Sequence, residues 1–143
     1  MLHFEFSEDD IARCQDNFEA GPELQVCTRL LTILPLIFQE ILSSGKQKEN
    51  CLCILSRFIE LDVQSTEEAF TSLYPDRPSL LDFLCAQTPS SEGTIHCVYC
   101  AIIEDSNRML QFCSLPSART FLEQCPSEIA SKIVLKLCHL SLQ

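Results

Sequence analysis

Glycine is almost missing from this chain. Its 143 residues hold only three, Gly21, Gly45 and Gly93, and each falls between stretches of helical apolar spacing, where a turn is expected. Three glycines cannot furnish the phosphate-cradling loops of common α/β enzymes. In keeping with this, no G-x-G-x-x-G, P-loop, G-x-S-x-G or H-E-x-x-H motif occurs. The segments between the glycines read as helix.

Ser7, followed by Glu8, Asp9 and Asp10, offers an N-cap and an acidic first turn for a helix to about Ala20. A second helix is expected from about Glu23 to Ser43, bent at Pro35. From Asn50, "NCLCILSRFIELD" sets Cys51, Leu52, Leu55, Phe58 and Ile59 on one helical face. "STEE" at Ser65 reads as a capping box with Glu68 at its third helical position, opening a short helix to Tyr74. Pro78 is expected as the first residue of the next helix, and "TPSSEG" as a loop. In "IHCVYCAII", Ile95, Val98, Tyr99, Ile102 and Ile103 form a helical stripe rather than a strand alternation. Short helices follow around "NRMLQFC" and after Pro116. In the last helix Ile129, Ile133, Leu137 and Leu140 face inward, with Lys132, Lys136 and His139 outward.

The pattern recurs. "PSLLDFL" at Pro78 and "PSARTFL" at Pro116 share P-S-x-x-x-F-L, and "ENCLCILSRFIELD" overlays "EGTIHCVYCAIIED" at a shift of 43, pairing Leu52 with Ile95, Ile59 with Ile102 and Asp62 with Asp105. Three units, at 35 to 62, 78 to 105 and 116 to 142, have spacing close to that of armadillo and HEAT repeats. The arrangement resembles the armadillo/HEAT-like superfamily over residues 23 to 142. The resemblance implies a short helix and a longer one per unit, with the longer ones lining a concave surface. The asparagine with which many armadillo repeats hold a peptide backbone has no counterpart, since Arg57 and Cys100 occupy the matching positions. The expected fold is all-α: about three stacked helical units with an acidic N-terminal capping helix, forming a single helical domain over 1–143 that stands alone or heads a larger protein. A compact non-repeating helical bundle is the alternative.

Composition narrows the partners. With 46% hydrophobic and 21% charged residues the chain is too apolar for disorder, and its net charge of −10 is the wrong sign for a nucleic-acid backbone or an anionic bilayer. The N-terminus lacks the features of a signal peptide, and the longest apolar stretch is broken by Arg29, Pro35 and Glu40, so neither export nor a membrane span is expected. Ten cysteines then read as reduced thiols packing as small hydrophobes in an intracellular, cytoplasmic or nuclear protein.

His96, Cys97 and Cys100 offer one candidate pair of zinc ligands, but Cys51 with Cys53 and Cys138 with His139 make poor second pairs. No metal, cofactor or catalytic residue is therefore expected. The expected activity is a non-enzymatic adaptor or scaffold. It would bind an acidic or amphipathic segment of another protein in a groove lined by Arg57, Cys100, Lys132, Lys136 and His139, and self-association is compatible with its apolar surface. The alternatives are a compact bundle with a groove for an amphipathic helix, and a metal- or thiol-dependent protein.

Overall fold

The computed structural model describes residues 33–87 and 90–142. The expected acidic helix before Gly21, and the first part of the helix expected from Glu23, lie outside the described residues. Among those described, the protein has seven α-helices and no strand: α1 (Leu34–Leu42), α2 (Lys48–Leu73), α3 (Leu80–Cys85), α4 (Glu92–Ile102), α5 (Ser106–Ser114), α6 (Ala118–Gln124) and α7 (Ser127–Ser141). None of them is long and apolar enough to cross a membrane.

Pro35 stands in the first turn of α1, where its missing N–H costs nothing. The chain leaves α1 through Ser44, whose φ of 53° is left-handed. The core then forms chiefly where α2 meets α1 and α4. Cys51, Leu52, Ile54, Leu55, Phe58 and Ile59 of α2 are all buried, as are Ile95, Cys97, Val98, Ala101 and Ile102 of α4. Each such large aliphatic or aromatic side chain contributes about 1.5–3 kcal/mol on leaving water.

Gly93 was expected in a turn, but it is buried in the first turn of α4. A Cβ there would lie 2.8 Å from the Leu52 Cβ and 2.7 Å from Glu49 Oε1. Its value is therefore close helix approach, not turn conformation. Two bonds tie the same contact: the Gly93 amide donates to Glu49 Oε1 at 2.7 Å, and the Cys97 thiol donates to the Leu52 carbonyl at 3.1 Å.

Halfway along, α2 breaks. Asp62 leaves helical geometry (φ −161°, ψ 88°), dividing the helix into two arms, residues 48–61 and 63–73. The Asp62 carboxylate accepts from the Ser65 amide at 3.0 Å and from its hydroxyl at 2.8 Å, so Asp62 caps the second arm. This corrects the expected capping box: Ser65 donates within the first turn, and Glu68 accepts from Gln64 instead. The buried Thr66 hydroxyl donates toward the carbonyls of Asp62 (2.8 Å) and Phe58 (3.3 Å), which keeps backbone polar groups at the break partnered.

The bend aims the second arm at α1 and α3. Phe70, fully buried, sits 5.1 Å from the ring of Phe38, 5.3 Å from Tyr74 and 5.6 Å from Phe83. Pro78 does not open α3. Ser79 does, its hydroxyl accepting from the Asp82 amide, so the proline lies just outside the helix. Farther along, Phe112 and Phe121 join α5 to α6 with ring centroids 5.7 Å apart.

The last helix sits more loosely. Of the four residues expected to face inward, Ile133 is fully buried, while Ile129, Leu137 and Leu140 are partly covered. Val134, Leu135 and Leu142 are exposed.

Candidate functional site

The break at Asp62 and the end of α4 leave a groove between them of about 630 Å3. Ile59, Val63, Tyr99 and Ile103 supply its apolar lining, and Glu60, Asp62, Glu104 and Asp105 face it with four carboxylates against the single guanidinium of Arg108. Tyr99 and Ile103, expected in the core stripe, are half-buried because they line this groove.

Arg108 is committed to internal partners. Its Nε donates to Glu67 Oε1 at 2.8 Å and its Nη1 to Asp105 Oδ2, tying the second arm of α2 to the first turn of α5. The hydrogen bonds to Glu67 come first among the causes that hold its pKa above the usual guanidinium value. Asp105 caps α5, accepting from the Asn107 and Arg108 amides at 3.0 and 3.1 Å. The Arg108 backbone bond and then the guanidinium keep the Asp105 carboxyl below the usual range, and the Ser65 amide and hydroxyl do the same for Asp62. Both acids are thus charged at neutral pH.

At the edge of the groove three different donors converge. His96 and Cys100 stand one turn apart on α4, and Glu60 reaches them from the end of the first arm of α2. Cys100 Sγ lies 3.4 Å from Glu60 Oε1 and 3.6 Å from His96 Nε2, and Nε2 lies 3.6 Å from the same carboxylate oxygen. Burial, followed by the hydrogen bond to Glu60 and its charge, pushes the Cys100 thiol up to about 12. That is the reverse of an activated nucleophile. A Cys–His–acid relay also needs the two ring nitrogens to serve different partners, whereas here one nitrogen faces both the thiol and the carboxylate.

Sequence reasoning singled out His96, Cys97 and Cys100 together, and the structure separates them. Cys97 is fully buried against Leu52, and burial raises its pKa well above the ordinary thiol value. Glu60 takes its place beside the other two. The picture of cysteines as core filler holds for Cys51, Cys85 and Cys97, but Cys53, Cys113 and Cys138 are exposed and Cys100 and Cys125 half-buried.

No hydrogen bond or ion pair joins any two of Arg57, Cys100, Lys132, Lys136 and His139, the residues expected to line one groove. Of these, only Cys100 lines the cavity. Arg57 is exposed on α2, Lys132 pairs with Glu128 at 3.6 Å along α7, His139 is exposed, and Lys136 is half-buried rather than facing fully outward. Comparison with family models, curated proteins and solved structures finds no match to this chain.

Proposed function

We propose that the chain is a non-enzymatic protein-interaction module, an adaptor or scaffold, that receives a basic segment with apolar anchors from another protein in the groove at the break of α2. The lining of that groove carries the reading: an apolar floor with the carboxylates of Glu60, Asp62 and Glu104 around it, and one cation whose charge is already met by Glu67 and Asp105. Such a surface attracts Lys or Arg and repels acids, while Tyr99 and Ile103 offer area to bury. The overall charge of −10 adds long-range attraction of the same sign. An acidic partner, expected from Lys132, Lys136 and His139, would have to use α7 instead.

The helix arrangement supports stacked units of armadillo/HEAT-like type as the scaffold. Residues 51–62 and 94–105 follow nearly the same order of covered and uncovered positions: Leu52 and Ile95, Leu55 and Val98, and Ile59 and Ile102 are all buried, while Cys53 and His96 are both exposed. Asp62 and Asp105 end the two series, and each caps the segment that follows by accepting from the amide three residues on.

A displayed library of random 12-residue peptides, selected on the 143-residue protein, tests the reading. Enriched peptides should combine Lys or Arg with apolar residues, shift the amide resonances of residues 59–64 and 99–105, and bind at least about tenfold more weakly to Glu104→Lys. Acidic consensus peptides, or binding indifferent to Glu104→Lys, would overturn it.

A further inference from the structure

Glu60, His96 and Cys100 form a nearly equilateral triangle of donor atoms, with edges of 3.4, 3.6 and 3.6 Å. Zinc binds sulfur at about 2.3 Å, imidazole nitrogen at about 2.0–2.1 Å and carboxylate oxygen at about 2.0–2.2 Å, so in a tetrahedron the ligand-to-ligand edges come to about 3.4–3.6 Å. The three side chains therefore already match one face of a zinc tetrahedron. The single ring nitrogen turned toward both Cys100 and Glu60, which defeats a proton relay, is what a shared ion at the centre requires.

We propose that Glu60, His96 and Cys100 bind a divalent transition metal of the zinc class, bridging α2 and α4 at the edge of the groove. The donor set selects among metals. Calcium and magnesium call for oxygen ligands throughout, while one sulfur, one imidazole and one carboxylate suit zinc or cobalt. On binding, Cys100 releases its thiol proton to solvent. The resulting thiolate and the Glu60 carboxylate together balance the two positive charges of the ion, with neutral imidazole as the third ligand.

The site is both held and reachable. His96 and Cys100 sit on the helix that Gly93 and Cys97 lock against Leu52. His96 and Glu60 keep 53% and 50% of their side-chain surface exposed, which leaves the ion a path in. All three residues line the groove, so a fourth ligand, water or a donor from a docked segment, would come from that side.

Cobalt(II) titration of the full 143-residue chain, freed of metal by a chelator and kept reduced, tests the proposal. One equivalent should produce a thiolate-to-cobalt charge-transfer band with the intense visible bands of tetrahedral cobalt, and zinc should displace it. Cys100→Ser should abolish the charge-transfer band, Cys53→Ser should leave it, and His96→Gln and Glu60→Gln should each weaken binding at least about tenfold. These side chains lie outside the fully buried core, and circular dichroism verifies that each variant is folded. Absence of the band in the folded wild-type chain, or its survival in Cys100→Ser, would overturn the site. Glu104→Lys, expected to weaken peptide docking, replaces none of the three donors and should leave the charge-transfer band in place, so failure here is distinguishable from failure of the interaction reading on which the groove's role rests.

Discussion

Helices α4 and α7 are similar in kind, both amphipathic and both ending a short-then-long helix pair, yet they are held very differently. Along α4, seven residues from Gly93 to Ile102 are buried, and Glu49 and Leu52 of α2 accept hydrogen bonds from it. Along α7, Ile133 alone is buried, and Val134 and Leu135 are exposed. The difference teaches which part of the molecule is firmly packed and which is loosely covered. Donors and carboxylates gather at the margin of the tightly packed α2–α4 pair, where geometry is fixed, while the basic stripe of α7 lies on the loosely covered element.

The sharpest way to break this contrast is to empty the centre of the packed region. Phe70→Ala removes the ring that joins α1, α2 and α3 and should cost about 3–5 kcal/mol, whereas Leu135→Ser on α7 should stay within about 0.5 kcal/mol. Urea unfolding of both variants measures it, and comparable losses would erase the distinction. Next in size is Gly93→Ala. The new methyl must push against Leu52 and Glu49, so a loss of about 1–3 kcal/mol is expected despite the better helix propensity of alanine. A gain in stability would show that the two helices do not approach as closely as described.

The smallest effect concerns the caps and depends on pH. Asp62 and Asp105 have pKa values lowered by folding, so their contribution is fully present above the unfolded aspartate value of about 3.9 and is lost as pH falls through the lower folded values. The double variant Asp62→Asn, Asp105→Asn should be less stable than wild type at pH 7. The gap should close as pH drops below about 4 in urea midpoints taken across that range. A gap that is constant with pH would remove the carboxylates from the account.

How much of this was legible in the sequence follows from what each residue needs. The stripe of Cys51, Leu52, Leu55, Phe58 and Ile59 could be read because burial on one helix face imposes a period, and all five are buried. The pairing of Asp62 with Asp105 at a shift of 43 was also visible, though not that both are caps. Gly93 was misplaced because glycine serves close approach and turns alike, and only the position of Leu52 decides between them. Asp62 lost its cap role to Ser65 in the sequence because both are good capping residues three positions apart.

The candidate site was half legible. His96 and Cys100 stood out as a pair one helical turn apart, but their third partner was sought among cysteines and histidines. Glu60 carries no local signal: an exposed acid on a helix looks like any solubilising charge until α4 is laid beside α2. Arg57 and Cys100 were grouped with Lys132, Lys136 and His139 through the repeat alignment alone, and of the residues so grouped Cys100 is the one that lines the cavity.

Native-state hydrogen exchange tests most directly whether the groove and its donors rest on the stable part of the molecule. The slowest amides should lie in residues 52–59 and 95–102 and exchange only through global unfolding, with those of α7 opening earlier. Protection along α7 equal to or greater than that along α4 would contradict the central claim that the α2–α4 pair is the rigid frame of the site.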